Sequence, residues 1–142
     1  MADAIARKSD EGRALWVLGG LYEILVSADD SGGDVTVMRM TVPQGNGAPP
    51  HTHPGEETMY VLDGEVDVTI GTDVVHAKEG AVFHFPRGTR EFFTAASPTS
   101  TVLITEVLDR VILDDQTVSD EPTWTRVYQK ASFKTGRALS MG

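Results

Sequence analysis

The sequence predicts an all-β domain, and three observations support that fold class. The chain of 142 residues has 14 glycines, 7 prolines and 40% hydrophobic residues, a composition typical of a turn-rich β protein. Its apolar runs are short and are separated by turns rich in Gly, Pro or Ser, a spacing that predicts a sandwich or a small barrel. Apolar and polar side chains alternate over residues 66–70, as in a strand with one buried face. This length suits about one domain.

The expected elements follow from these runs in order. Two apolar runs flank Gly19-Gly20, and the polar segment ADDSGGD after the second run predicts a hairpin turn into the third. Strands are predicted at residues 16–18, 21–26, 35–42, from about 57, and at 66–70, 74–77, 82–85, 91–94 and 101–108. The predicted organisation is an N-terminal arm at 1–14, a barrel at 15–113 and a C-terminal tail at 114–142. The polar arm is expected to be a loose segment or an edge strand that packs on a partner.

Composition excludes several classes of function. The formal net charge of −9 argues against a nucleic-acid surface, which needs clustered Lys and Arg to contact phosphates. Without cysteine the chain has neither disulfides nor thiolate ligands, so any bound metal must use His and carboxylate side chains. The N-terminus lacks the apolar stretch of a signal peptide, and no apolar run is long enough to span a bilayer. We therefore expect a cytoplasmic protein with no membrane partner.

Two histidines and a glutamate form the most informative pattern. His51 and His53 are one residue apart, so in an extended segment both side chains point to the same side. Pro54 and Gly55 predict a turn, after which a strand beginning near Glu57 is expected to run back beside the histidines as a hairpin. Two histidines and one carboxylate form a facial triad, which suits Fe(II) and related divalent ions and leaves coordination positions open.

This segment resembles the first motif of the cupin superfamily, G(x)5HxH(x)3-4E(x)6G. Its defined positions are filled by Gly45, His51, His53, Glu57 and Gly64. The resemblance implies a double-stranded β-helix, or jelly-roll, barrel with an irregular N-terminal arm and C-terminal tail. It also implies that the two histidines and Glu57 are metal ligands.

The second cupin motif, G(x)5PxG(x)2H(x)3N, is matched in part. Gly80, Pro86 and Gly88 occupy three of its positions. Glu91 stands where the family has its last histidine ligand, and Ala95 stands where it has asparagine. The fold expected from the resemblance is unaffected by these two differences, whereas the metal and the reaction depend on them.

Three roles for Glu91 are open from the sequence. As a ligand it would complete a set of two histidines and two carboxylates, whose charge would neutralise a divalent ion such as Mn(II), Fe(II) or Zn(II). As a general base it would stand near a metal-bound substrate. As a surface residue it would pair with Arg87 or Arg90.

The other two histidines are candidates to replace the missing ligand. His84 faces opposite to Phe83 and Phe85 in its predicted strand, so it points either into the barrel or to its surface. His76 lies beside a predicted turn and is expected to be exposed.

Large apolar side chains in the predicted strands are expected to form the core. Those at the mouth of the barrel would line an apolar pocket for a flat aromatic or other poorly soluble substrate. Arg87 and Arg90 at the rim would receive a carboxylate or phenolate of that substrate, or remain as solvated surface charge.

Resemblance to single-domain cupins implies several activities on one scaffold, among them dioxygenases, small polyketide cyclases, isomerases, decarboxylases and non-catalytic binding modules. The first interpretation is a metal-dependent oxygenase or polyketide-cyclase-like enzyme that acts on a small enolisable or phenolic molecule. It would use Fe(II), Mn(II), Ni(II) or Zn(II), and Glu91 or Glu57 would move a proton. The alternatives are a metal-free isomerase, a sugar-binding or other small-molecule-binding module, and a storage protein. Related barrels also imply a homodimer.

Overall fold

A computed structural model of the protein describes residues 3–107, which form nine β-strands and confirm the all-β fold class. Each strand predicted within this range is present, with ends shifted by a few residues. Leu18 lies outside the first strand because its φ of 50° places it in a left-handed turn. The strands are β1 (Arg13–Val17), β2 (Gly20–Val26), β3 (Val35–Pro43), β4 (Glu56–Asp63), β5 (Glu65–Ile70), β6 (Asp73–Lys78), β7 (Val82–Phe85), β8 (Glu91–Ala95) and β9 (Thr99–Val107).

The nine strands form two antiparallel sheets, an arrangement consistent with a jelly roll. The larger sheet has the order β1-β2-β3-β9-β4-β7, and the smaller has the order β6-β5-β8. The hairpin predicted between β2 and β3 is confirmed by their antiparallel pairing. In the larger sheet β9 lies between β3 and β4, so residues far apart in the chain become direct neighbours.

The core lies between the inner faces of the two sheets, as the alternation of side chains requires. In β5 the side chains of Val66 and Val68 are fully buried, whereas Asp67 between them is partly exposed. The methionines and phenylalanines expected in the core are largely there. The buried members of the core cluster include Met38, Met40, Met59, Phe85 and Phe93.

The described part of the N-terminal arm is largely exposed and contacts its own barrel through Arg7. Arg7 donates to the Leu25 carbonyl at 2.8 Å and forms an ion pair with Asp30 at 2.9 Å. Arg7 and the Ser27 backbone amide lower the pKa of Asp30 to about 2. The first strand begins at Arg13, within the segment assigned to the arm, while the predicted tail and the barrel end after residue 107 lie outside the described residues. Residues 3–107 contain no helix that could cross a membrane.

Gly64 in the first motif is required by space as well as by backbone conformation. It joins β4 to β5 with a φ of 77°, and an added Cβ would lie 2.4 Å from the Thr99 carbonyl oxygen. Gly71 has a similar φ of 62° but has no atom within 4 Å of such a Cβ. The two glycines therefore separate the cost of the backbone conformation from the cost of the steric clash.

We expect Gly64→Ala to lower the free energy of unfolding more than Gly71→Ala does. Both variants place a side chain in the left-handed region, at a cost of about 1–2 kcal/mol. Gly64→Ala should lose a further ~1–3 kcal/mol because the backbone around Thr99 must move. Urea unfolding of the two variants and the parent measures the difference, and equal losses would contradict the steric account.

Candidate metal centre

Four of the side chains predicted as ligands lie together at one end of the barrel. His51, His53, Glu57 and Glu91 each offer a ligand atom, and these atoms lie within 4.8 Å of one another. Glu57 is the first inward-facing residue of β4, and Glu91 is the first residue of β8. The two sheets thus each contribute one carboxylate, and the segment before β4 contributes both histidines.

The predicted hairpin between the histidine segment and β4 is wrong. The partners of β4 are β7 and β9, whereas His51 forms an isolated antiparallel bridge with Glu91. In this bridge the His51 amide donates to the Glu91 carbonyl at 3.1 Å, and the Glu91 amide donates back at 3.0 Å. The predicted convergence of both histidines with Glu57 is nevertheless present, because Pro54 and Gly55 redirect the chain into β4.

The turn of the second motif holds the histidine segment in place. The Gly88 amide donates to the His53 carbonyl at 2.9 Å, and the Thr89 amide closes the turn on the Pro86 carbonyl at 3.0 Å. Gly88 has a φ of 78°, a conformation that favours glycine. The segment from Pro86 to Glu91 therefore contains one proposed ligand, Glu91, and supports another, His53, through a backbone hydrogen bond.

The distances within the cluster fit a single bound cation. His51 Nε2 lies 2.8 Å from Glu91 Oε1, and His53 Nε2 lies 2.8 Å from Glu57 Oε2. His53 Nε2 lies 3.9 Å from Glu91 Oε1. Ligand atoms about 2.1 Å from one ion are about 3.0 Å apart when adjacent and about 4.2 Å apart when opposite. The observed separations lie near this range.

The buried carboxylates give an independent reason to place a cation here. The side chains of Glu57 and Glu91 are 3% and 1% exposed, whereas those of His51 and His53 are 28% and 19% exposed. Three of their oxygens, both of Glu91 and Oε2 of Glu57, have no aligned hydrogen-bond donor among the described residues. Buried anionic oxygens in this state need a cation or a proton. The donor set therefore fits a divalent ion. Solvent can reach the site from the side of the partly exposed histidines.

The ion pairs within the metal-free protein shift the pKa values of the same groups. The short contact with Glu91 is the main cause that raises the pKa of His51. Glu106, followed by Glu57, raises the pKa of His53 to about 11. Burial raises the pKa of Glu57, although His53 opposes that shift. Protonated His53 therefore offsets part of the carboxylate charge when no metal is bound.

Glu106 is a site residue that the sequence reasoning missed. It lies on β9 with 3% of its side chain exposed, and its Oε2 is 3.1 Å from His53 Nδ1. The signal that could have found it is the alternation of β9, in which Glu106 follows Val102 and Ile104 on the buried face. A carboxylate at such a position needs a nearby cationic or donor group.

The structure decides the positions of the remaining candidates. Glu91 is buried, so its interpretation as a surface residue paired with arginine is wrong. His84 is exposed on the outer face of β7, with Nδ1 3.5 Å from Thr58 Oγ1, and does not join the cluster. His76 is exposed as predicted and contacts Asp67 at 2.7 Å.

Only some of the apolar side chains expected at the mouth of the barrel line a concavity. A surface concavity of about 630 Å³ is lined by Leu18, Phe92 and Phe93 together with the segment 43–50. None of the four clustered side chains lines it, so the concavity is distinct from the candidate metal centre. Arg87 and Arg90 are exposed, and their predicted contact with a substrate remains a prediction.

Comparison with known families agrees with this fold. A family profile for the cupin domain matches residues 38–107, which include most of β3, the histidine segment and the four clustered side chains. The chain belongs to the cupin superfamily. No curated protein sequence matches the chain at a significant level.

Solved cupin structures resemble the described barrel. The polyketide cyclase RemF from Streptomyces resistomycificus is 18% identical, with a TM-score of 0.60, and the match covers 81% of this chain and 89% of RemF. Fe(II) HppE is 21% identical, with a TM-score of 0.66, and the match covers 75% of this chain and 62% of HppE. KdgF from Halomonas sp. is 21% identical, with a TM-score of 0.59, and the match covers 66% of this chain and 83% of KdgF. At these identities the likeness shows the shared fold.

We expect metal binding to this cupin to release protons and to strengthen as the pH rises. The pKa of His53, raised to about 11, means that this imidazole carries a proton near neutral pH, and a metal must displace it. Glu91 also raises the pKa of His51. In the metal-free protein, the stability contributed by protonated His53 is fully present below its usual pKa of 6.5 and is lost as the pH rises through about 11. For each displaced proton, the metal affinity should rise by at most about tenfold per pH unit.

Calorimetric titration of Zn(II) in buffers of different ionisation enthalpy measures this proton release. His76→Gln is the matched control, because Asp67 raises the pKa of His76 outside the cluster. The control should release the same number of protons as the parent. An affinity that does not change with pH would contradict the assignment of the histidines.

Proposed function

We propose that the protein is a metal-dependent enzyme in which His51, His53, Glu57 and Glu91 hold one divalent ion. The observation that carries this proposal is the convergence of four donor side chains that include two buried carboxylates. Both oxygens of Glu91 and Oε2 of Glu57 have no aligned hydrogen-bond donor among the described residues. Fe(II), Mn(II), Ni(II) and Zn(II) all accept imidazole and carboxylate ligands. The two carboxylates would neutralise the charge of such an ion.

The proposed reaction is oxygenation or cyclisation of a small enolisable or phenolic molecule. When bound, a divalent ion supplies Lewis acidity that favours the ionised form of a substrate hydroxyl. The proposal is supported by two structures that share this fold, the polyketide cyclase RemF and HppE with Fe(II). The partly exposed histidines leave the cluster accessible to a small molecule.

Glu91 is proposed to bind the ion and to contribute to proton transfer. Its Oε1 lies 2.8 Å from His51 Nε2, whereas Oε2 is buried without a hydrogen-bond partner among the described residues. The second oxygen is therefore available to accept a proton from a hydroxyl or activated carbon held beside it. Glu57 is the alternative proton acceptor, because burial already raises its pKa.

The function is tested by supplying the metal-loaded protein with a panel of 1,3-diketones and phenols, with and without oxygen. An oxygenase consumes oxygen together with substrate and requires a redox-active ion such as Fe(II). A cyclase or isomerase converts its substrate anaerobically and also works with Zn(II). Binding of panel members without conversion under either condition would contradict an enzymatic role and favour a binding module.

We expect Glu91→Gln to lower kcat on a substrate found in that panel by about 10²–10⁴-fold, because the amide cannot accept the proton. Metal content measured on the same sample separates loss of the ion from loss of proton transfer. Glu56→Gln is the matched control, since Glu56 precedes Glu57 but faces outward. Equal kcat in Glu91→Gln and the control would remove Glu91 from the proposed chemistry.

A further inference from the structure

Glu106 is placed behind one of the proposed ligands rather than among them. Its Oε2 lies 3.1 Å from Nδ1 of His53, whereas Nε2 of the same ring lies 2.8 Å from Glu57 Oε2. The imidazole is therefore held between two buried carboxylates on its opposite nitrogens. Only the Nε2 side belongs to the four-residue cluster.

The strand pairing makes this arrangement specific. Glu106 is the direct cross-strand partner of Glu57 in the β4–β9 pair, and both side chains face the barrel interior. On the other side of β9, Glu106 is paired with Thr36 of β3, which is 2% exposed. A buried carboxylate costs free energy at this position unless a nearby group compensates it, and His53 is positioned to do so.

A histidine can bind a metal through Nε2 only when the remaining ring proton is on Nδ1. An acceptor at Nδ1 stabilises that tautomer, fixes the plane of the ring and increases the basicity of Nε2. Carboxylates that contact metal-bound histidines in this way commonly change metal affinity by about 10–100-fold. Glu106 Oε2, at 3.1 Å from His53 Nδ1, lies within hydrogen-bond distance of that nitrogen.

We propose that Glu106 is a positioning residue that accepts the Nδ1 proton of His53 and directs Nε2 toward the metal. This inference rests on the proposed function, because it takes His53 to be a ligand. It adds to the site a carboxylate that does not bind the ion itself. The site then depends on three strands, β4, β8 and β9, and on the histidine segment.

Two substitutions at residue 106 separate the acceptor from the volume of the side chain. Glu106→Gln keeps an acceptor oxygen at a similar position, whereas Glu106→Leu has similar bulk without an acceptor. We expect the Zn(II) dissociation constant, measured by chelator competition, to rise about 10–100-fold in Glu106→Leu. It should rise less in Glu106→Gln. Glu106→Met provides a second apolar variant if Leu disturbs folding.

Thr36→Val is the matched control for packing around Glu106. The two residues are cross-strand neighbours, and the Thr36 hydroxyl is buried without a hydrogen-bond partner among the described residues. This variant should bind Zn(II) as the parent does. Thermal unfolding of all metal-free variants then separates two explanations. If Glu106 has only a structural role, the Zn(II) affinity of the variants follows their thermal stability. If Glu106 positions His53, the Zn(II) affinity follows the presence of an acceptor at residue 106.

Nitrogen-15 NMR of the Zn(II)-loaded proteins gives a direct readout of the contact. The parent and Glu106→Gln should show a hydrogen-bonded Nδ1 proton on His53, and Glu106→Leu should lose it. Parent-like Zn(II) affinity in the apolar variants would overturn the role of Glu106 and leave the proposed function standing. Failure of the parent itself to bind any tested ion would overturn both.

Discussion

Three carboxylates buried at one end of a small barrel impose the main physical constraint on this structure. Glu57, Glu91 and Glu106 are each no more than 3% exposed, and moving a charged carboxylate out of water costs several kcal/mol. A domain of this size has a total stability of only about 5–15 kcal/mol. Compensation by nearby cations or by protonation is therefore necessary. Protonated His53 contributes this compensation in the metal-free protein, and a divalent ion would contribute it in the proposed active form.

The fold meets this constraint by using the alternation of its strands. Glu57 in β4, Glu91 in β8 and Glu106 in β9 occupy inward-facing positions that would otherwise hold apolar side chains. Farther along the same faces, Met59, Phe93 and Ile104 restore the apolar core. The polar end and the apolar body of the barrel are thus built from the same strands. The site can therefore be rigid without interrupting the sheets.

The sequence predicts the ligands better than it predicts how the backbone brings them together. The fixed spacing of His51, His53 and Glu57 was sufficient to indicate their convergence, because side-chain direction in extended chain follows from position. The hairpin was wrong because the actual partner of His51 is Glu91, which is distant in sequence. Glu106 was missed for the same reason, since only the β4–β9 pairing places it beside Glu57. The direction of the His84 side chain relative to Glu91 was not predictable, because the turn at Pro86–Gly88 interrupts the alternation of side chains along the strand.

Metal content per chain tests the central claim of a single divalent-ion site most directly. Elemental analysis should be made on protein purified without added metal, and again after exposure to Fe(II), Mn(II), Ni(II) or Zn(II) and removal of unbound ion. The account predicts about one ion per chain in the parent, and substantially less when His51 and His53 are both replaced by alanine. A parent that retains no ion under any of these conditions, or a double variant that retains as much as the parent, would contradict it.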